Sequence, residues 1–178
     1  MAFTDLFKSI IAQYLVNKSI HNQTLDERAY SSLLKNSYSF LVMMPDEEED
    51  FHHSIYVIEY LNKESKHVTI LTKDFRVSLI NPKLRTNLIE YEIRDISKIK
   101  LPTKKLISKL SERNFDVVID LNRKENLFYS YAVSQAKSKL KIGFEKKGSD
   151  KFYNFQVSYK GKEPEEAYKY LVNCLQMF

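Results

Sequence analysis

Asp120 closes the apolar run Phe115-Asp-Val-Val-Ile-Asp-Leu121 and is followed at once by Asn122, Arg123 and Lys124. An apolar run of this kind reads as a strand buried on both faces, and so as part of a parallel sheet covered by helices. Such sheets carry their functional groups at the carboxyl ends of the strands. Asp120 and its three polar successors therefore belong on the working rim. Lys146 follows a second such run, Lys139-Leu-Lys-Ile-Gly-Phe144, and falls on the same rim. Arg123, Lys124 and Lys146 are residue types that meet phosphate, the guanidinium by paired hydrogen bonds and the ammonium as a point charge. A plain solvated rim is the competing reading.

A second polar cluster is Asp46-Glu-Glu-Glu-Asp50, followed by His52 and His53. Adjacent histidines at a helix start project about 100° apart, so both rarely reach one ion. His21 and His67 stand alone in sequence, and no metal site is expected. The acids read as a loop whose last member caps a helix from Phe51.

Composition removes several classes of function. The 178 residues suit one ordinary domain, and 43% apolar content fits a globular chain. Only three glycines occur, Gly143, Gly148 and Gly161. Dinucleotide and P-loop sites need clustered glycines so that backbone amides approach phosphate, and no cofactor is expected. The one cysteine, Cys174, excludes an internal disulfide and reads as a small core residue. There is no signal-peptide pattern and no run long enough to span a bilayer. The expected location is cytoplasmic, with peripheral contact at the inner membrane face left open.

The net charge of +5 is concentrated locally. Lys98, Lys100, Lys104, Lys105, Lys109 and Arg113 form one cluster, and Lys137, Lys139, Lys141, Lys146, Lys147 and Lys151 another. Either is a solvated face, or it meets an anionic substrate, a phospholipid surface or nucleic acid. The tyrosines at 129, 131, 153, 159, 168 and 170 could stack bases, but no RNA-module motif accompanies them. Nucleic acid is thus disfavoured as a partner.

The elements that must position these residues alternate. Phe3, Leu6, Phe7, Ile10, Ile11, Tyr14 and Leu15 recur at three- and four-residue steps and predict an amphipathic helix, with a membrane-surface or dimer role open to it. A second helix starts near Thr24, which makes a capping box with Glu27 and leads to Ala29, Tyr30, Leu33 and Leu34. Strands are expected over 39–44 and 67–72, with a helix over 51–63 between them. Segments 75–80 and 87–91 are weaker, one or both extended. A helix over 101–113 turns Leu106, Ile107 and Leu110 inward, and one over 125–136 joins the strands from Phe115 and Leu140. An edge strand within 152–159 precedes a helix from Pro164, with Ala167, Tyr170, Leu171, Cys174, Leu175 and Phe178 as its buried stripe. The expected architecture is a single α/β domain, three-layered and Rossmann-like, with a mostly parallel sheet over 37–178 and a helical extension over 1–36.

Segments 39–54 and 115–148, with the closing helix, resemble the N-terminal half of glycosyltransferase family 9, the heptosyltransferase family of lipopolysaccharide core assembly. The family phrase Tyr/Phe-Asp-Leu/Val-Val-Ile-Asp-Leu, then Arg/Lys-Ile-Gly-Phe, is matched by Phe115 to Leu121 and Lys141 to Phe144. Asp50-Phe-His-His-Ser54 stands where the family places an aspartate before a helix. The resemblance implies one half of a two-domain GT-B enzyme, with the acceptor held here and the nucleotide sugar in a second domain that is expected to be lacking. It casts Asp50 as the general base on the acceptor hydroxyl, suited to that task if burial or the neighbouring acids raise its pKa. It casts Asn122, Arg123, Lys124 and Lys146 as acceptor-binding residues. Pro45 and the consecutive acids replace the family's small residues and glycine, and Asn122-Arg123 replaces a polar-glycine pair. The expectation is a degenerate, non-catalytic binding or interaction module. The alternative is half of a split glycosyltransferase completed by a donor domain on another chain. Expected partners are an anionic glycan or lipid-linked acceptor, a second copy, or that donor domain.

Overall fold

The computed structural model describes residues 2–20 and 27–178. The expected Thr24–Glu27 capping box lies outside the described residues. Helices α1 (Ala2–Lys18) and α2 (Glu27–Asn36) precede β1 (Ser39–Met43), α3 (Glu48–Lys63) and β2 (His67–Lys73). Two short 3₁₀ turns, Asp74–Leu79 and Pro82–Leu84, lead to β3 (Asn87–Tyr91). A third 3₁₀ turn, Ile93–Asp95, precedes α4 (Lys104–Ser111), β4 (Asn114–Asp120), α5 (Leu127–Gln135) and β5 (Lys137–Phe144). A 3₁₀ turn at Ser149–Lys151, β6 (Phe155–Val157) and α6 (Pro164–Gln176) complete the chain. No helix among the described residues is long and apolar enough to cross a membrane.

The six strands form one sheet in the order β3-β2-β1-β4-β5-β6, and every neighbouring pair is parallel. The chain builds outward from β1 to one edge, then returns to the middle and builds from β4 to the other. The switch lies between β1 and β4, where Met43 stands beside Asp120. In sheets of this kind, the point where the loops of two adjacent strands diverge is the usual place for a site.

Helices cover both faces of the sheet, giving the three-layer α/β domain the sequence predicts. On one face Phe40, Val42, Val117, Ile119 and Ile142 pack with Val57, Ile58 and Leu61 of α3 and Leu171, Val172 and Leu175 of α6. On the other, Leu41, Met43, Leu71 and Val118 meet Leu106 and Leu110 of α4 and Ala132 and Val133 of α5. Burial on both faces is why these strands read as continuous apolar runs.

One open expectation is resolved and two change. Of the two weaker segments, 87–91 is the extended one, as β3, and the other is a 3₁₀ turn over Asp74–Leu79 in the connection between β2 and β3. The α6 stripe runs through Tyr168 and Val172, while Tyr170 is exposed and Cys174 only half-buried. On α1 the large apolar residues Leu6, Phe7, Ile10 and Tyr14 are exposed. Instead Ala12 and Val16 are buried with Leu101, against Leu127 and Tyr131 of the α5 segment. Small side chains let the helix axes approach, so size rather than hydrophobicity selects the contact face.

Candidate functional site

The rim after β1 and β4 is built from side chains that satisfy one another. Parallel register sets Asp120 between Met43 on β1 and Gly143 on β5, at the carboxyl end of three strands. Its Oδ1 accepts from the Asn122 backbone N–H at 3.0 Å and the Asn122 Nδ2 at 2.6 Å. Its Oδ2 accepts from Lys146 Nζ at 3.0 Å and from the Tyr153 hydroxyl. A carboxylate has about four acceptor positions, and all are used. Lys146 is only 7% exposed; it also donates to the Asn122 carbonyl at 2.7 Å and lies 5.3 Å from the Tyr153 ring centroid.

Gly143 explains how Tyr153 arrives there. A Cβ at Gly143 would lie 2.7 Å from Tyr153 Cε1, so only glycine lets the ring lie on β5. Burial, then the Asp120 charge, push the Tyr153 hydroxyl well above its ordinary pKa, so it acts as a donor. Tyr153 is not among the site residues expected from the sequence. The available signal was an isolated glycine inside a strand, which marks a close approach.

The acidic loop is drawn inward by cations. Helix α3 begins at Glu48, earlier than expected, so Asp50 sits in its first turn, where acids suit the positive end of the dipole. Asp50 is buried, and its Oδ1 accepts from Arg123 Nε at 2.7 Å. Arg123 Nη1 donates to the Lys162 carbonyl at 3.1 Å. Asp46 pairs with Lys73, and Glu47 with Lys124 at 3.3 Å. Arg76 donates to the carbonyls of Pro45 at 2.8 Å and Asp46 at 2.7 Å, with its guanidinium 5.0 Å from the Phe51 ring centroid. Asn122 Oδ1 accepts from the Asp46 N–H at 3.1 Å, tying the loop after β1 to the loop after β4. Tyr168 donates to the Leu121 carbonyl at 2.8 Å. Burial, then the Asp50 charge, push its hydroxyl pKa far up.

The fold thus brings Asp50, Asn122, Arg123, Lys124 and Lys146 to one rim, where the sequence places them. It joins them as partners: Arg123 with Asp50, Lys146 with Asp120, and Lys124 with Glu47. His52 is exposed and His53 half-buried on α3, and no group of three or more metal-ligating side chains occurs among the described residues. A cleft of about 1100 Å³ opens towards the amino-terminal ends of β4 and β5, and the ring of Tyr153 is the rim residue that also lines it.

A family model described as a family of unknown function (DUF6913) matches residues 8–178. Comparison with curated protein sequences returned no match. Among solved structures, the chain is similar to E. coli heptosyltransferase WaaC with ADP, at 14% identity and a TM-score of 0.57 over 75% of this chain and 46% of that one. The same enzyme with ADP-2-deoxy-2-fluoro heptose matches at 16% identity and a TM-score of 0.57, over 78% and 48%. A glycosyl transferase family 9 structure from Veillonella parvula DSM 2008 matches at 16% identity and a TM-score of 0.60, over 80% and 42%. The chain spans less than half the length of each, and identities this low show the shared fold alone. With nearly its whole length matched, the chain belongs to the family of unknown function DUF6913, carried on a fold like that of glycosyltransferase family 9 structures.

Proposed function

We propose that this chain is a degenerate acceptor-side half of a heptosyltransferase-like enzyme that works as a non-catalytic binding module. Residues 37–178 form the acceptor-half unit and residues 1–36 an added helical extension. One observation carries the reading: the candidate base Asp50 is bonded to the candidate anion-binding Arg123, and Asp120 to Lys146. A transferase rim needs a carboxylate free to take a proton and cations free to hold the acceptor. Here each group is occupied by the other. What remains for a ligand is the Nη2 edge of Arg123 and Lys124, whose solvent-exposed pair with Glu47 an anion can displace, and these suit an anionic glycan or lipid-linked sugar.

Calorimetric titration of the chain with an ADP-sugar is the direct test. No saturable heat is expected; one-to-one binding of the nucleotide sugar would overturn the module reading.

A split transferase is the second reading, favoured by the fold shared with the heptosyltransferase and glycosyl transferase family 9 structures over 75% to 80% of this chain. In that case a bound acceptor phosphate draws Arg123 away and frees Asp50 as the base. Sugar transfer on mixing with a donor-domain chain, abolished in Asp50→Ala, would support it.

A further inference from the structure

At the amino-terminal edge of the sheet the lysines are not neutralised as they are at the rim. Lys137, Lys139 and Lys141 alternate along β5, so their side chains share one face, with neighbours about 7 Å apart. In this sheet the β5–β6 connection is a 3₁₀ turn, Ser149–Lys151, instead of a crossover helix. The chain then returns along β5, where Asn154 bonds the Lys139 carbonyl at 2.8 Å and the Lys141 N–H at 2.7 Å. The space beside α5 and this return is the cleft of about 1100 Å³, lined by all three lysines and by Lys151.

None of these four lysines forms an ion pair or side-chain hydrogen bond with another described residue. Two acids, Asp116 and Asp150, also line the cleft. Asp116 Oδ2 is engaged by the backbone N–H groups of Tyr38 at 2.9 Å and Ser39 at 2.8 Å, and feels Lys139 only as a charge at a distance. Lys141 is half-buried, and burial alone lowers its pKa below the ordinary lysine value. Desolvating a cation without a partner is unfavourable, and an incoming anion would relieve it.

We propose that this cleft binds a linear oligophosphate, with Lys137, Lys139 and Lys141 meeting phosphate groups spaced along its length rather than adjacent ones, and Lys151 lining the same cleft. Phosphate fits because each ammonium is a point charge and the neighbouring Asn114, Gln135 and Asn154 supply amide donors. The site shares only Tyr153 with the carboxyl-end rim and none of its lysines, so it stands whether or not the module reading does.

The test is calorimetry of the full chain with tripolyphosphate and with a longer linear polyphosphate, at low and at physiological salt. Saturable binding is expected, tighter for the longer chain and weakened by salt. Lys139→Gln and Lys141→Gln should each weaken it roughly tenfold. Lys63→Gln, on the exposed end of α3, should leave it unchanged. Lys141→Gln removes a desolvated charge and is expected to fold normally, which circular dichroism checks. Absence of binding, equal weakening by Lys63→Gln, or binding of a single-stranded oligonucleotide but of neither polyphosphate would overturn the proposal.

Discussion

Gly143 and Tyr153 show how one backbone position sets the chemistry of the rim. The glycine admits the phenol ring onto β5, and the ring carries a hydroxyl to Asp120. Gly143→Ala should force the ring away, by overpacking and by loss of that bond, at about 2–4 kcal/mol. Tyr153→Phe keeps the packing and loses only a hydrogen bond to a charged group, at about 1.5–3 kcal/mol. Combined with Tyr153→Phe, the Gly143→Ala change should still be destabilising, because the ring and not the hydroxyl makes the clash. Urea unfolding of the three variants checks this order. A Gly143→Ala variant as stable as the parent would mean that the ring moves aside freely.

Strand β4 is fastened at its start as well as at its end. Asp116 accepts from the N–H groups of Tyr38 and Ser39 and from the Ser39 hydroxyl at 3.1 Å, while the Asp116 N–H donates back to Ser39 Oγ at 3.0 Å. The Ser39 backbone bond first, then that of Tyr38, hold the Asp116 carboxyl below the usual carboxylate pKa. The folded value is therefore lower than the unfolded one near 3.9. The stabilisation is complete above the unfolded value and fades as pH falls through the folded one. Solvent exposure keeps the contribution small. Asp116→Asn should lower stability at pH 7 and flatten the loss of stability between pH 5 and pH 3. Urea midpoints measured across that range check it; an unchanged acid limb would remove Asp116 as a contributor. At the same scale, α1 illustrates where periodicity misleads. Its three- and four-residue apolar steps are real, but Ala12 and Val16 occupy the contact with Leu101. Periodicity reports that a helix is two-sided; which side is buried depends on the surface it meets.

Across the whole molecule, one rim pair joins the two halves of the sheet and the other fastens the second half to itself. Arg123 of the β4 loop holds Asp50 of the β1–α3 segment, and Lys146 of the β5 loop holds Asp120 of β4. Asp120 and Lys146 are 1% and 7% exposed, whereas Arg123 reaches solvent with 21% of its side chain. Removing one partner of a buried pair strands a charge, at about 3–5 kcal/mol. Lys146→Met should therefore destabilise by about that much, and adding Asp120→Asn should recover a good part of it. Arg123→Ala should be less costly, about 1–3 kcal/mol, because Asp50 can regain some water. Midpoint shifts at constant denaturant slope check the cycle. Additive single effects would show that Lys146 and Asp120 do not interact.

The parallel fold, its central strands and the rim position of Asp120, Asn122, Arg123 and Lys146 were legible in the chain. Doubly buried strands have to be apolar throughout, and polar residues after such strands can only emerge at their carboxyl ends. Pairing was not legible, because the partners of Asp50 and Asp120 are 73 and 26 residues away and met only once strand register was set. Lys73, Arg76 and the place of Tyr153 at Asp120 stayed hidden for the same reason; the lysine cluster along β5 was visible, but not which of its members the fold pairs and which it leaves unpaired. Residue type and local spacing decide what an element is and which end is polar; long-range register decides which charges are spent on each other and which are left free.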